Sequence, residues 1–325
     1  MILLMPVIIN FTRVFIMAIF YSIDGLPVFT SPVITIGTFD GVHMGHDTIL
    51  QKVCTHAQSI GGESLLLTFE PHPRKLIFPE QPVHILTPLD KKLQLITDAG
   101  IQHIVVVPFT KEFAALSARE YISDFLVKIF HPSAIVIGYD HHFGNDRKGN
   151  IHLLKEIQGE YGFDVVELPA QLIDDAAVSS TKIRNAIAGG AVAEARHMLG
   201  RIYTVAGTVQ QGAQLGRTIG YPTANIVPHD AEQIIPANGV YAVRVNHNGE
   251  EYDAMLNIGY RPTVSDERTL HIEAHLFDFD EDIYNDEVEL AFFERLRDER
   301  KFNSLDELKE QLGLDKIAAT EILAV

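Results

Sequence analysis

The loop at residues 37–46, which we call the signature loop, limits the fold of this chain more than any other segment. It follows the apolar run Val33–Ile36, which has the length of a buried strand, and it precedes a helical pattern over residues 49–57 with apolar residues on one face. The sequence therefore predicts a strand–loop–helix corner, in which glycines let the backbone approach a ligand closely. The first N–H groups of a helix favour a phosphate, and His43 and His46 can both face it. The loop is not a P-loop, because the Gly-Lys-Ser/Thr ending is missing, and taken alone it also fits an ordinary turn with two surface histidines.

Length and charge restrict the class of protein. With 325 residues the chain can form two domains, each with its own core. The net charge of −17, from 26 basic and 43 acidic residues, argues against a general binder of nucleic acid or of an anionic membrane. It does not argue against ATP, because a local site with Mg²⁺ can hold a polyanion on an acidic protein. The single cysteine, Cys54, excludes an internal disulfide and fits a reducing cytoplasm, where we expect the protein to be located.

The first twenty residues are very apolar, with Arg13 as their only charged residue. A signal peptide would need a basic n-region and a small-residue cleavage site, and a membrane span would place Arg13 near its centre at a high cost. We therefore interpret Met17 as the natural start and residues 1–16 as an extension outside the fold. A membrane tether is the alternative interpretation.

Between residues 33 and 168, apolar runs of strand length alternate with helical patterns. The predicted strands are 33–36, 64–69, 101–107, 134–137 and 164–168, and the predicted helices are 88–99, 118–130 and 151–161. This alternation predicts an α/β fold with a parallel sheet and helices on both faces. Ligands of such sheets bind beyond the carboxyl ends of the strands. The signature loop and the loops at 69–73 and 138–144 lie at those ends.

Residues 179–184 open a further helix and begin with three hydroxyl-bearing residues. Hydroxyl groups suit the N-cap of a helix. Ser180 and Thr181 would equally suit a mobile clamp on a phosphate, with Arg184 as its cation. The sequence alone leaves both interpretations open.

From residue 201 the pattern changes to short alternating segments separated by glycines and prolines. The segments at 203–209, 240–245, 270–277 and 288–293 predict an antiparallel sheet or a closed barrel, so the domain boundary is expected between about 185 and 201. A capping box at 304–307 is expected to begin a terminal helix. Its apolar stripe of Leu305, Leu308 and Leu312 is expected to pack on the barrel.

The second half carries its own candidate chemistry. Thr223 and Asn225 point to the same side of an extended segment, and they offer two neutral oxygens suited to Mg²⁺ held jointly with phosphates. His271, Glu273 and His275 share one face of a predicted strand. This trio is compatible with a metal site, but Glu273 is better suited to act as a general base beside a bound hydroxyl, with the two histidines on a solvated face.

Eight stretches occur in an order that is found in one bacterial family. They are residues 37–46, 69–73, 138–144, 179–184, 217–225, 257–263, 273–282 and 297–302. Together they resemble the bifunctional riboflavin kinase/FAD synthetases. The resemblance implies a Rossmann-like nucleotidyltransferase domain over residues 17–185, followed by a riboflavin kinase-like antiparallel β-barrel with a terminal α-helix over residues 186–325. It also implies two activities: the barrel phosphorylates riboflavin with ATP to give FMN, and the first domain transfers AMP from ATP to FMN to give FAD and pyrophosphate.

The resemblance implies roles for individual residues. Glu273 takes a proton from the ribityl hydroxyl, while His43, His46 and Arg184 stabilise the transition state of AMP transfer. In the barrel, Thr223 and Asn225 hold Mg²⁺ and ATP. The other implied nucleotide contacts are Gly37, Phe39, Asp40, Gly45, Asp140, Ser180, Thr181, Gly207 and Gly212, and the implied flavin contacts are Phe69, Pro71, Phe143 and Arg297. The expected reactants are ATP, riboflavin, FMN and FAD, with Mg²⁺ as cofactor; no nucleic acid or stable membrane association is expected, and the oligomeric state is open.

The chain departs from the family pattern near residue 140 and again after Asp282, where Ile283 and Asn285 replace the more common Leu and Gly. His141 stands where an aromatic residue is more usual, and Asp140 stands where some members have Asn. Two alternative functions remain at this stage. A single-activity cytidylyltransferase shares the signature loop but has no need of the barrel, and a flavin-binding protein without activity has no need of an intact Glu273 or Asn225.

Overall fold

The computed structural model describes residues 3–7, 15–139, 141–145, 147–168, 178–212, 215–262 and 268–324. Contacts between residues divide the chain into two units. The first unit consists of residues 1–83 and 87–178, and the second of residues 84–86 and 179–325. Each unit has its own sheet and its own apolar core.

The first unit is built around a mostly parallel sheet. Its strands are β1 (Leu3–Val7), β2 (Phe15–Phe20), β3 (Val33–Ile36), β4 (Ser64–Glu70), β5 (His103–Pro108), β6 (Ala134–Gly138) and β7 (Asp164–Leu168). Their spatial order is β1-β2-β5-β4-β3-β6-β7, and β2 to β7 run parallel. The predicted parallel sheet is confirmed. The strand order changes direction between β3 and β6, which is where open sheets of this kind bind ligands.

Helices cover both faces of this sheet. They are α1 (Met44–Ser59), α2 (Pro73–Ile77), α3 (Leu89–Asp98), α4 (Lys111–Ala114), α5 (Ala118–Glu120, continued as a π-helix over Tyr121–Phe130) and α6 (Ile151–Tyr161). One apolar cluster contains residues of α1 and α3 together with Leu66, and the other contains residues of the π-helix and α6 together with Leu65 and Leu67. Because neighbouring residues of β4 enter different clusters, the strand is buried on both faces, as a central parallel strand requires.

The edge strand β1 pairs antiparallel with β2. The structure here differs from the expectation that residues 1–16 lie outside the fold, because Leu3–Val7 adds a strand to the sheet. On its other side β2 pairs with β5 through Ala18, Ile19 and Phe20. The pairing that joins β2 to the parallel sheet therefore lies entirely after Met17.

A chain that begins at Met17 is expected to fold and to keep the two activities that the resemblance implies. The parallel ladder to β5 stays intact, so the free energy of unfolding should fall by no more than about 1 kcal/mol, the size of ordinary surface changes. Urea unfolding of the shortened and full chains measures this difference. Loss of a cooperative transition, or loss of either activity, would show that β1 is required.

The second unit contains a closed antiparallel barrel. Its strands are β8 (Tyr203–Gln210), β9 (Ala224–Pro228), β10 (Gly239–His247), β11 (Glu250–Pro262), β12 (Arg268–Leu276) and β13 (Glu287–Arg297). They follow the order β10-β11-β12-β9-β8-β13, and β13 pairs again with β10. The predicted barrel is confirmed, although β9 and β11 were not predicted. The charged residues Glu250, Glu251 and Asp253 at the beginning of β11 hide its strand character.

The helices of the second unit are α7 (Ser180–Ala188), α8 (Val192–Leu199), α9 (Leu215–Thr218) and α10 (Leu305–Leu323). The terminal helix α10 packs on the outside of the barrel through Leu312, Ala319 and Leu323. The prediction that Leu305 belongs to this contact is wrong, because its side chain is 64% exposed. Leu305 lies in the first turn, so the packed part of the helix begins further along the chain.

Only half of the predicted capping box forms at α10. Ser304 Oγ accepts a hydrogen bond from the N–H of Glu307 at 3.1 Å. The carboxylate of Glu307 accepts instead from the N–H of Asn303 at 3.0 Å. The helix is still capped, because the N-cap hydroxyl satisfies one of its first N–H groups.

Helix α7 belongs to the second unit by its contacts. The N–H of Ala237 donates to the carbonyl of Ile187 at 3.3 Å, and Arg184 Nε donates to the carbonyl of His84 at 2.8 Å. The division between the units therefore lies between residues 178 and 179, before the range of 185–201 expected from the change of pattern. The functional domains 17–185 and 186–325 remain a prediction.

His103, at the beginning of β5, is a buried titratable group in the first unit. Its ring lies 5.2 Å from that of Phe29, and its Nε2 lies 3.5 Å from a carboxylate oxygen of Glu63. Its Nδ1 is one of two buried side-chain nitrogens without a hydrogen-bond partner in the described part of the chain. Burial lowers the pKa of His103, and the nearby Glu63 only partly opposes this shift.

Replacing His103 with Leu is expected to reduce the loss of stability in mild acid. Since the folded-state pKa lies below the ordinary value of about 6.5, the unfolded chain takes up the proton first as pH falls. His103 therefore contributes stability above about pH 6.5 that is lost as pH falls toward its folded-state pKa. The measurement is the difference in unfolding free energy between pH 7 and pH 5.5 for the parent, for His103→Leu and for the exposed-site control His152→Leu. An equal difference in all three chains would show that His103 is not the responsible group.

Candidate functional site

The signature loop begins where β3 ends, at the carboxyl edge of the parallel sheet. The N–H of Gly37 donates to the carbonyl of Leu67 on β4 at 3.0 Å. Phe39, Gly41 and Val42 then adopt φ angles of 47°, 93° and 37°. Left-handed backbone is natural for glycine but costly for a β-branched residue such as Val42. A loop with this backbone persists only where its surroundings hold it.

His43 and His46 cap the first turn of α1 reciprocally. His43 Nδ1 accepts from the N–H of His46 at 3.3 Å, and His46 Nδ1 accepts from the N–H of His43 at 3.4 Å. The two rings stack with centroids 3.7 Å apart and planes 13° apart. A ring nitrogen that accepts a hydrogen bond carries no proton, so the proton of each ring lies on Nε2. The structure thus brings the two predicted histidines together, each with an Nε2–H donor, at the N-terminus of a helix.

The neighbouring residues support this arrangement. The ring of Phe39 is buried and lies 4.8 Å from that of His46. A side chain at Gly37 would meet the ring of Phe39, with a Cβ only 3.1 Å from it. Gly45 is buried in the first turn of α1. These three residues of the predicted nucleotide site therefore shape the loop through packing.

Asp40 lies in the signature loop with its side chain only 3% exposed. Its Oδ1 accepts from the N–H of Thr87 at 3.1 Å, which ties the loop to the residues before α3. Lys92 of α3 is buried as well and donates to the carbonyl of Thr38 at 3.3 Å. No motif in the sequence marks Lys92 as a residue of the site. A lysine directly before Leu93 in an apolar helix pattern was the available signal.

An aromatic cluster lies at the carboxyl ends of β4 and β5. The ring of Phe69 lies 5.5 Å from that of Phe109 and 5.6 Å from that of Phe113. Phe69 is buried, whereas Phe109 and Phe113 are partly exposed. Pro71 follows in the loop after β4. Phe109 and Phe113 were missed by the sequence analysis, although both stand just after a predicted strand, where loops bind ligands.

Phe143 lies on the same side of the sheet as this aromatic cluster, but unlike Phe109 and Phe113 it is buried. Its ring stacks on Tyr121 with a centroid distance of 5.0 Å and lies 6.1 Å from the ring of His141. Its backbone exchanges two hydrogen bonds with Gly149, at 3.0 and 3.1 Å. Asp140, the other residue predicted here, lies outside the described residues.

The hydroxyl-rich segment before α7 acts as a helix cap. Ser179 is the N-cap, and its Oγ accepts from the N–H of Lys182 at 3.2 Å. Ser180 is partly exposed and Thr181 exposed in the first turn of α7. Arg184 reaches the carbonyl of His84. All of these residues belong to the second unit.

In the barrel, Glu273 lies between two asparagines on neighbouring strands. On β12 it is directly opposite Asn225 of β9 and opposite Asn257 of β11. Residues directly opposite one another on adjacent antiparallel strands point to the same face. The structure therefore brings Glu273 together with Asn225 and with Asn257, which lies in one of the stretches that carry the resemblance.

Glycines bring the backbone close to this cluster. A side chain at Gly212 would overlap with the side-chain amide of Asn225, and one at Gly207 would overlap with Ile226 and the carbonyl of Val227. Gly212 thus leaves room for the amide, while Gly207 permits the close packing of β8 on β9. Thr223 directly precedes β9 and is partly exposed.

The oxygens at this place fit Mg²⁺ that arrives with phosphates. Thr223 and Asn225 provide a hydroxyl and an amide oxygen, which are suitable hard ligands, and the carboxylate of Glu273 lies on the adjacent strand. Within the described residues, no group of three or more His, Cys, Asp or Glu side chains could hold a metal ion. Phosphate oxygens and water can complete the coordination of an ion at Thr223 and Asn225.

The expectation of a solvated face for both histidines of β12 is wrong at His275. Its side chain is 8% exposed, and its Nδ1 lies 2.8 Å from the carbonyl of Pro222, to which it donates. The rings of Tyr221 and Phe277 pack against it at 5.2 and 5.8 Å. Burial lowers the pKa of His275. His275 therefore holds the segment that carries Thr223. Strand alternation cannot reveal this role, because the burial of His275 depends on the residues that pack over β12.

Arg297, predicted to contact flavin, forms a bidentate ion pair with Asp315 of α10. Arg297 Nε lies 2.9 Å from Oδ1 of Asp315, and one terminal nitrogen lies 2.7 Å from Oδ2. Another terminal nitrogen donates to the carbonyl of Asp298 at 2.9 Å. Asp315 is only 3% exposed. The guanidinium group thus joins the end of β13 to the terminal helix.

Known proteins resemble this chain over most of its length. Residues 28–182 match the family of FAD synthetase, and residues 199–323 match that of riboflavin kinase. The bifunctional riboflavin kinase/FMN adenylyltransferase of Escherichia coli K12 is 37% identical over 294 residues, which cover 90% of this chain and 93% of that protein. The protein of the same description from Bacillus subtilis 168 is 36% identical over 288 residues, which cover 87% of this chain and 90% of that protein. A solved structure described as a macrolide-efflux protein from Streptococcus pneumoniae is similar with a TM-score of 0.84 at 30% identity, covering 93% of this chain and 97% of that one.

The two folds and their matches define a two-module transferase of phosphorus-containing groups. The chain belongs to the family of bifunctional riboflavin kinase/FMN adenylyltransferases. It has riboflavin kinase activity in the C-terminal part and FMN adenylyltransferase activity in the N-terminal part. A single-activity cytidylyltransferase and an inactive flavin-binding protein are thereby set aside. No helix among the described residues is long and apolar enough to cross a membrane.

His43 has both a cap and a ring donor, and two substitutions separate these functions. His43→Asn keeps a side-chain acceptor at the N-cap and should leave the stability of the first unit nearly unchanged, while His43→Ala should cost about 1 kcal/mol. Both variants should lose AMP transfer to FMN by about 10²–10³-fold, as when one preorganised donor is removed. Chemical unfolding and an FAD assay with supplied FMN check these values. Parental activity in His43→Asn would mean that the ring serves only as a cap.

Proposed function

We propose that the signature loop and the N-terminus of α1 form the site of AMP transfer to FMN. The observation that carries this proposal is the reciprocal capping of His43 and His46, which directs an Nε2–H donor from each stacked ring. In this reaction a phosphate oxygen of FMN attacks the α-phosphorus of ATP, and pyrophosphate leaves. The two donors and the first N–H groups of α1 stabilise the negative charge that develops on the phosphate oxygens.

The flavin ring of FMN is proposed to lie at the aromatic cluster of Phe69, Phe109 and Phe113. Partly exposed aromatic rings suit the flat and apolar flavin ring system. The loops that carry these rings follow β4 and β5, at the same sheet edge as the signature loop. In this proposal Phe143 and Pro71 support the aromatic cluster on the side away from the flavin. Phe143 is itself stacked on Tyr121. Gly37, Phe39, Asp40 and Gly45 shape the loop around the nucleotide.

We also propose that Ser180, Thr181 and Arg184 assist AMP transfer by contacting phosphates. Their support is chemical: two hydroxyl groups and a guanidinium group stand at the beginning of one helix. Asp140 is proposed as a further ATP contact on the strength of the sequence pattern alone.

For the kinase reaction we propose that Glu273 is the general base. Its carboxylate accepts the proton of the 5′-hydroxyl of riboflavin while that oxygen attacks the γ-phosphorus of ATP and ADP leaves. The position of Glu273 opposite Asn225 and Asn257 supports this role, because amide groups on both sides can hold the carboxylate in a fixed position relative to the phosphates. Gly207 and Gly212 are proposed to let neighbouring strands pack closely and to let the ATP phosphates come close to the backbone. Arg297 is proposed to support the flavin pocket through its ion pair with Asp315.

Mg²⁺ is proposed to bind at Thr223 and Asn225 together with ATP. When bound it offsets negative charge on the phosphates, while the residues of the chain orient the nucleotide and the hydroxyl. The protein is proposed to act in the cytoplasm on small-molecule substrates, without nucleic acid. The domains 17–185 and 186–325 are proposed as the two functional modules.

The two activities are expected to separate by single substitutions. Glu273→Gln keeps size and hydrogen bonding but removes the base, so riboflavin phosphorylation should fall by about 10²–10⁴-fold. FAD formation from supplied FMN should be unchanged. His46→Ala should do the reverse, with a loss of about 10²–10³-fold in AMP transfer, and FMN should accumulate. Chromatographic separation of riboflavin, FMN and FAD measures both steps.

Matched controls make this test specific. Glu287→Gln changes an exposed carboxylate on barrel strand β13, and His56→Ala changes a histidine in the last turn of α1. Both controls should keep both activities. FMN must be supplied directly, since a kinase defect would otherwise limit the second step. Damage to both steps by Glu273→Gln in a folded protein would contradict the proposal of two separate sites.

A further inference from the structure

Lys92 is a buried lysine that the proposed chemistry does not use. It lies on α3, where it is 6% exposed, directly before the buried Leu93. Lysine is almost never buried unless its ammonium group has partners. Here Nζ donates to the carbonyl of Thr38, in the signature loop, at 3.3 Å.

The Thr38 carbonyl is held from a second side. Thr68 of β4, which is fully buried, donates its hydroxyl to the same oxygen at 3.2 Å. Two residues further along the loop, Asp40 accepts from the N–H of Thr87. The loop is therefore attached to the sheet, to α3 and to the residues before α3. These attachments lie on either side of Phe39, whose left-handed backbone needs support from its surroundings.

Charge gives Lys92 a second effect. Burial lowers its pKa, and the carboxylates of Glu70 and Asp40 partly oppose this shift. Both carboxylates lie near a loop that is proposed to receive polyanionic ATP, in a chain of net charge −17. An apolar side chain would fill the same space without the cost of burying an amine. A cation at this position offsets the carboxylates where the phosphates approach.

We propose that Lys92 is a positioning residue for AMP transfer, which fixes the Thr38 carbonyl and offsets Asp40 and Glu70, so that the signature loop presents His43 and His46 to the phosphates in one geometry. The inference rests on the proposed role of the signature loop. Lys92 acts through the loop and is not proposed to touch the substrate. A small displacement of such a loop can cost about 10²-fold in rate, even when the chemical groups are all present.

The test uses the full chain with three substitutions. Lys92→Met removes the charge and keeps the length, Lys92→Arg keeps the charge, and Thr68→Val removes only the second donor to Thr38. Lys52→Met, at an exposed position on α1, is the control. For each chain kcat and KM for ATP and FMN are measured in AMP transfer, with riboflavin phosphorylation as the internal reference and with the folded fraction from near-UV circular dichroism.

We expect Lys92→Met to lower kcat/KM for ATP in AMP transfer by about 10–100-fold, with KM for FMN and riboflavin phosphorylation unchanged. Lys92→Arg should be more active in AMP transfer than Lys92→Met. Thr68→Val should also lower kcat for AMP transfer. The combined variant Thr68→Val/Lys92→Met should lose less than the product of the two single effects, because both donors act on one carbonyl.

Several results would overturn the inference. A purely structural lysine predicts that Lys92→Met, the better apolar filler, is more active than Lys92→Arg, and that activity follows the folded fraction alone. If Lys92→Met fails to fold, parental AMP transfer in the near-isosteric Thr68→Val decides against the inference. His46→Ala is assayed in parallel. If it retains AMP transfer, the proposed site itself is wrong, whatever Lys92 does.

Discussion

Hydrogen bonds between ring nitrogens and backbone at the beginning of α1 are the interaction on which the first module depends. They satisfy two N–H groups of the turn, fix the tautomer of His43 and His46 and hold the rings in a stack. A helix N-terminus attracts anions without any side chain, but it does not set the position of a reacting phosphate. In the proposed site, the ring donors of His43 and His46 supply that position. The orientation of the two rings is set by the same hydrogen bonds that begin the helix. Formation of this helical turn therefore also sets the geometry of the proposed site.

In the barrel, strand register determines which residues of the candidate site become neighbours. Glu273, Asn225 and Asn257 are far apart in the chain and become neighbours only because β12 pairs with both β9 and β11. A shift of one residue on β12 would turn Glu273 to the other face. Closure of the barrel makes such a shift costly, since every strand has two partners. The cluster is thus specified by pairings over the whole sheet, whereas the histidine pair is specified within one helical turn.

This difference explains what could be predicted from the sequence. The apolar run of β3, the loop and the helix pattern follow one another directly, so local periodicity was enough to place His43 and His46. Strand β11 was missed because its first two residues, Glu250 and Glu251, are charged and exposed. Lys92 was missed because a lysine is assumed to be exposed, and its burial depends on the loop and strand packed over α3. Leu305 was assigned wrongly because helical periodicity gives the face of a helix but not the point at which that face meets the barrel.

Gly212 shows how a residue without a functional group can control one. Its backbone lies against the amide of Asn225 so closely that any side chain would displace that amide. The position therefore fixes the surroundings of the Asn225 amide although it offers no functional group of its own. Alanine scanning normally removes groups, but at Gly212 it would add a methyl group that displaces the Asn225 amide from its place in the proposed kinase site.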